Sequence, residues 1–283
     1  MSRLTEYTVL HSTGPDAERF LQGQFTNNMN DLAEGSASFS ACCNAKGRMV
    51  ANFLIAHFQN AYWLVLPATS AALLVQHLQK YKVFFKADIS DKSAELDVLA
   101  SLGQNPMYTA KGDQQQLTLQ LTGELQLIIS HKSATCQTEP QGLVAAEKWH
   151  QQRMREGIHW LTSEQSEQWI PQQLNWHLLA GVSFNKGCYT GQEIIARMQY
   201  LGKSKKTLGL YQGPDTSTEN QQLFNAEGKA IAQVLECHPD TNGGHLIFAV
   251  VSADALPENL FAEQNSQISL TLQNLPYTVE KTE

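Results

Sequence analysis

The sequence predicts an α+β fold followed by a small, all-β barrel. Helical stretches alternate with hairpin-like strand runs as far as about residue 156. After Lys206 the texture changes to short β-type runs separated by Gly, Pro, Asn and Asp. The 283 residues are 42% hydrophobic and 17% charged, which supplies a packed core and argues against disorder and coiled coil. We expect two domains, 1–205 and 206–283, with a subdivision of the first near 92–96.

In order, Tyr7 to His11 reads as a strand that stops at Thr13-Gly14-Pro15-Asp16. Thr13 and Asp16 have capping spacing with Pro in the first turn, so a helix is expected over Pro15 to Gln22, burying Phe20 and Leu21. Ser36 to Cys43, Met49 to Phe58 and Tyr62 to Leu66, joined by turns at Ala45-Lys46-Gly47 and Gln59-Asn60, read as three antiparallel strands. Ser70 is a cap candidate for a helix ending near Tyr81, and Val83 to Ile89 looks like a further strand. A second unit from Leu96 contains strand runs at Leu117 to Leu121 and Leu125 to Ser130. A helix over Leu143 to Glu156 is then stopped by Gly157. In the last part, Thr207 to Tyr211, Ala230 to Leu235, His245 to Val251 and Ile268 to Leu272 are the strand candidates.

The net charge of −7 is unevenly spread. Residues 1–185 carry 13 basic and 16 acidic groups (−3), 186–206 carry 5 and 1 (+4), and 207–283 carry 2 and 10 (−8). The basic island of Lys186, Arg197, Lys203, Lys205 and Lys206 reads either as an anion attractor or as a solvated helix face. Overall acidity argues against broad nucleic-acid binding, which rests on many phosphate contacts. Apolar runs such as Val50 to Ala56 are far shorter than a membrane-spanning helix needs, and the start lacks a secretory pattern. Five cysteines without Cys-x-x-Cys do not suggest a disulfide framework, so a cytoplasmic protein with reduced thiols is expected.

Metal ligation has little support. Adjacent Cys42 and Cys43 on a strand point to opposite faces, and Cys136 and Cys237 lie in no motif. The histidines show no His-x-x-x-His spacing, and no metal site is expected.

The most informative stretch is Lys186-Gly187-Cys188-Tyr189-Thr190-Gly191-Gln192-Glu193, followed by Ile194 to Met198 with Arg197. Thr190 and Glu193 have capping-box spacing, so a helix is expected from Gly191, burying Ile194, Ile195 and Met198. A thiol just ahead of that helix, beside Lys186, would feel the positive end of the dipole and an ammonium, both favouring thiolate. Cys188 therefore reads either as a functional thiol or as a small buried residue.

Residues 186 to 193 resemble the signature of the YgfZ family, folate-binding proteins related to the aminomethyltransferase (T-protein) of glycine cleavage. Gly14-Pro15-Asp16-Ala17, Phe20 to Thr26, Ala45 to Met49 and Ile170-Pro171-Gln172 fit in the same order, so the resemblance spans residues 5 to about 206. It implies a ring-like aminomethyltransferase fold of ferredoxin-like subdomains around a central folate site, with a C-terminal β-barrel. It also implies tetrahydrofolate or a derivative as cofactor, with Tyr7 and Trp149 at the two aromatic folate contacts. Lys186, Gly187, Tyr189, Gly191, Gln192, Glu193 and Arg197 would support the functional thiol Cys188. The implied partners are iron–sulfur proteins or their assembly factors, with tRNA modification reached indirectly.

T-proteins carry an Asp pair where this chain has Ala51 and Asn52, and a Glu-Ala-Gly where it has Arg155-Glu156-Gly157. The shift of one residue turns the acid by about 100° around a helix. The leading reading is thus an accessory folate-binding protein rather than an enzyme. The alternatives are a folate-dependent one-carbon transferase with an unrecognised acid, and a direct tRNA-binding module using the basic island.

Overall fold

The computed structural model describes residues 2–113, 115–132, 140–202, 204–214, 218–252, 256–263 and 268–279. Cys136 and Lys203 lie outside them. The first sheet is antiparallel, in the order β2 (Ser36–Cys43), β3 (Met49–Phe58), β4 (Ala61–Pro67), β1 (Tyr7–Thr13), β5 (Asp88–Asp91). The helices α1 (Ala17–Gln22) and α2 (Ala68–Lys82) cover one of its faces, with Phe20, Leu21, Leu74 and Leu78 packed against Phe53, Ile55 and Leu64. The second sheet runs β6 (Leu96–Leu102), β9 (Leu125–His131), β8 (Gln116–Gln120), β7 (Ala110–Gly112). The helices α3 (Ala146–Arg155) and α4 (Gln192–Tyr200) follow. Last comes a closed barrel of β10 (Lys206–Gly213), β13 (His245–Ser252), β12 (Ala230–Pro239), β11 (Gln222–Phe224), β14 (Asn259–Phe261) and β15 (Ser269–Gln273).

The barrel encloses a core of its own, with Tyr211, Val234, Ile247 and Leu260 inside. A larger core joins both sheets, α3 and the outer face of the barrel through Phe39, Leu127, Trp149, Trp176 and Phe248. Burial at this junction fixes how the three sheets meet, and their meeting forms the cavity described below.

Several local expectations are corrected. Helix α1 starts at Ala17 rather than Pro15, because the Asp16 carboxylate accepts the Lys86 backbone N–H instead of capping the helix. Ser70 lies inside α2, where its hydroxyl donates to the Leu161 carbonyl. The apolar run from Val83 is mostly the return from α2: Val83 and Phe84 face solvent, Phe85 packs at a tilt against Phe20, and pairing begins only at Asp88. Short strands β7, β11 and β14 have three residues each, too few for a pattern. Gly157 does end α3, at φ +73°.

Helix α4 begins at Gln192 without the expected capping box. The Thr190 hydroxyl instead donates to Gln24 Oε1, and Gly191, at φ +85°, is the first half-helical residue. Of the apolar positions expected inside, Ile195 is buried while Ile194 and Met198 are half-buried. A Cβ on Gly191 would sit 2.4 Å from the Asn44 carbonyl oxygen and 3.0 Å from Gly47 Cα. Gly47, itself at φ +70°, would drive a Cβ to 2.9 Å from Ile194. Two backbones thus approach so closely that both positions require glycine.

Candidate functional site

Three of the segments that carry the resemblance, Phe20 to Thr26, Ala45 to Met49 and Ile170-Pro171-Gln172, come together around residues 183–195, whereas Gly14 to Ala17 lies against Lys86. Lys186 is buried, and its Nζ donates to the carbonyls of Gln22 (2.7 Å), Phe25 (2.7 Å) and Asn27 (2.8 Å). Burial pushes its ammonium down to about 7, while three carbonyl dipoles favour the charged form. All three N–H bonds are spent on the α1 turn, so Lys186 is not part of a basic surface and does not serve Cys188 as the sequence suggested. Thr190 N–H donates to Gly23, Ser183 N–H to Thr26, and Gln172 Nε2 to the Ile195 carbonyl. Tyr189 is buried beneath the Lys186 ammonium. Gln192 is half-buried, Glu193 and Arg197 are exposed, and Gly187 has open space around it. Cys188 is an exposed free thiol at the end of this braced segment.

A second locality is a cavity of about 1080 Å³ between the first sheet, α3 and the barrel. Tyr7, the first residue of β1, lines it, and its ring meets Trp160 edge-on at 4.8 Å. Trp149 is fully buried behind that wall, 5.7 Å from Tyr7, with its indole N–H on the Gln126 carbonyl at 2.7 Å. The structure therefore brings the two expected aromatic residues together, but only Tyr7 reaches the cavity. Trp160, which no sequence pattern singled out, is the second ring at its surface. Cys188 is not among the residues that line it.

Asn52 explains how Trp160 is placed. From the middle of β3 its side-chain N–H donates to the His159 carbonyl (2.8 Å), and its oxygen accepts the Leu161 N–H (2.8 Å). At the position where a T-protein acid was expected, this amide clamps both neighbours of Trp160. Glu156 faces Gln152 and the Gly123 turn rather than the cavity.

The polar wall comes from α3 and β12. His150 and Arg153 project from one face of α3 at i, i+3. On β12 the pairing register shifts between Val234 and Glu236. This bulge leaves Val234 in the barrel core and turns Leu235, Glu236 and His238 to the cavity, with Cys237 packed back against the barrel. The Glu236 carboxylate binds the Arg153 guanidinium, His159 Nδ1 (2.7 Å) and His238 Nε2 (3.1 Å). Burial alone would raise the Glu236 pKa, but these partners hold it well below the usual carboxylate range. His150 Nε2 meets Glu6 at 2.6 Å, and burial keeps the His150 pKa below its usual value. Burial also pushes the Tyr7 phenol up, so it is a neutral wall.

His150, Glu236 and His238 each offer a ligand atom within 4.8 Å of the others. Their arrangement suits stacking better than coordination. The two imidazoles lie 4.7 Å apart with planes only 7° from parallel, so their in-plane lone pairs do not converge on one point. Both Glu236 oxygens are also taken by cations and imidazole.

Residues 1–105 match the GCVT N-terminal domain. The tRNA-modifying protein YgfZ of Colwellia psychrerythraea is 29% identical over 301 residues, covering 98% of this chain and 92% of that protein. The tRNA-modifying protein YgfZ of Klebsiella pneumoniae is 26% identical over 304 residues, with coverage of 98% and 92%. The chain is thus similar to YgfZ proteins along nearly its whole length. Its fold is that of an aminomethyltransferase: the crystal structure of glycine cleavage system aminomethyltransferase T from Bartonella henselae superposes with a TM-score of 0.75 at 17% identity, covering 97% of this chain and 84% of that one. Within this framework lies the cavity walled by Tyr7 and Trp160, and Ala51 and Asn52 are not among its lining residues. No helix among the described residues is long and apolar enough to cross a membrane.

Proposed function

We propose that the chain is a tetrahydrofolate-binding accessory protein that supports the synthesis or repair of iron–sulfur enzymes, and through them tRNA modification, with Cys188 as its functional thiol. The observation that carries this reading is the cavity beside Tyr7 and Trp160, with buried N–H groups on residues of its wall and Trp160 set in place by the Asn52 amide behind it. Flat rings and unpaired buried donors suit a pterin, which offers a planar face and acceptor atoms at its edge. Folate supplies a carrier for one-carbon units. This chain's part is to hold it, through Tyr7 and Trp160 on the ring and Arg153 and His150 at the polar wall, while Trp149 backs Tyr7.

Aminomethyl transfer is not part of the reading, because the position expected to carry its acid is the non-titrating Asn52 and the carboxylates of Glu6 and Glu236 are committed to His150 and to Arg153, His159 and His238. The first 205 residues would supply the ring wall, and the 206–283 barrel would close the cavity through Leu235, Glu236 and His238. Cys188, exposed on a segment braced by Lys186, is accessible to large partners such as iron–sulfur proteins in the cytoplasm. Relatives named as tRNA-modifying proteins support the biological setting.

The test is rescue of a deletion strain, read as methylthiolated tRNA by mass spectrometry. The wild-type chain restores the modification and Cys188→Ala does not. Full rescue by Cys188→Ala removes the thiol from the account.

A further inference from the structure

Three buried side-chain atoms without a partner among the described residues, Arg153 Nε, Trp160 Nε1 and His150 Nδ1, belong to residues lining the same cavity. Arg153 is 1% and Trp160 3% exposed, which puts their N–H groups out of reach of bulk water. An unpaired buried donor is costly, and native proteins leave few of them without a reason.

The chemistry of each atom is fixed. Guanidinium Nε and indole Nε1 only donate. His150 directs Nε2 at the Glu6 carboxylate, which accepts, so Nε2 carries the proton and Nδ1 of the neutral ring accepts. The unpaired set is therefore two donors and one acceptor. Two carboxylates beside the unpaired atoms are engaged: the largely withdrawn Glu236 by Arg153, His159 and His238, and the solvent-exposed Glu6 by His150. The other carboxylates on the lining, Glu147 and Glu219, are exposed. A carboxylate clamp on the amino-amidine side of a pterin thus has no buried group to form it.

We infer that the cavity recognises its heteroaromatic ligand by an oxo-lactam edge, with Arg153 Nε–H and Trp160 Nε1–H donating to ring acceptors such as the carbonyl and His150 Nδ1 accepting from a ring N–H. This rests on the folate reading above and adds which edge of the ring is read. It sets a selectivity: exchanging the ring carbonyl for an amino group turns an acceptor into a donor and the neighbouring ring N–H into an acceptor. A site built to pair a group rejects the analogue that reverses it.

The experiment is calorimetric titration of the full chain, anaerobically at pH 8, with tetrahydrofolate and with its 4-amino counterpart tetrahydroaminopterin. Tetrahydrofolate is expected to bind about tenfold or more tighter. In Trp160→Phe, which keeps the ring and deletes the donor, the ratio is expected to shrink; should that variant not fold, the wild-type ratio decides. Equal affinities, a preference for the amino compound or an unchanged ratio in folded Trp160→Phe overturns the edge assignment and leaves the folate reading standing. No binding of tetrahydrofolate overturns both.

Discussion

Arg153 on α3 and Glu236 on β12 form a two-pronged ion pair, with Nη2 bound to Oε1 and Nη1 3.3 Å from Oε2, that fastens the barrel to the helix under the cavity. Both side chains are withdrawn from water, at 2% and 13% exposure. Removing one partner strands the other, so Glu236→Leu or Arg153→Met is expected to cost about 3–5 kcal/mol in urea unfolding. The double variant, which leaves no orphan charge, is expected to cost less than the sum. Additive losses contradict the coupling.

The same groups set a pH dependence. The folded state resists protonating His150, so below about 6.5 the unfolded chain binds more protons and stability falls as pH falls. Glu236, depressed in the fold, contributes stability that is present above about 4.5 and lost as pH drops through its folded value. His11 and His77, lowered by burial as well, act in the first direction, so the informative quantity is a difference between chains. The urea midpoint is expected to decline from pH 7.5 to 5.5, less steeply in His150→Asn. A midpoint that rises over that interval contradicts the assignment.

Asn52 bridges both backbones beside Trp160, and an aspartate keeps the acceptor for Leu161 while losing the donor to His159. Asn52→Asp is therefore expected to destabilise by about 1–3 kcal/mol and to confer no aminomethyl transfer to tetrahydrofolate. Turnover by the purified variant contradicts the view that this amide is a clamp in place of an acid.

Thiol accessibility separates Cys188 from the cysteines of β2. Burial raises the thiols of Cys42 and Cys43, whereas Cys188 is exposed. Brief iodoacetamide labelling followed by peptide mass spectrometry is expected to modify Cys188 and to spare Cys42 and Cys43 until the chain is unfolded. Early labelling of Cys42 contradicts the packing of the first sheet.

Much of the framework was legible because the hairpins announce themselves: Ser36–Cys43 and Met49–Phe58 are apolar runs bounded by turn residues, and their observed limits are those expected. The run at Val83 misled because an apolar loop that packs Phe85 against Phe20 has the composition of a strand. The polar wall was hidden for a geometric reason. Glu236 and His238 face the cavity only because of the bulge after Val234, and Arg153 lies 83 residues away from Glu236 in sequence. A faint signal existed in His150 and Arg153 on one helix face and Glu236 and His238 at strand spacing. Trp160 needed the Asn52 clamp to be placed, and Lys186 read as surface charge because its three carbonyl partners come from 159 to 164 residues earlier.

The central claim is that the Tyr7 cavity, and not the Cys188 segment, holds folate. Equilibrium binding of tetrahydrofolate to the wild type, Tyr7→Ala and Cys188→Ala tests it most directly. The account predicts binding to the wild type, unchanged affinity in Cys188→Ala and a loss of about tenfold or more in Tyr7→Ala, the order expected when an aromatic wall is removed. No binding to the wild type, or binding that ignores Tyr7 and fails with Cys188→Ala, contradicts it.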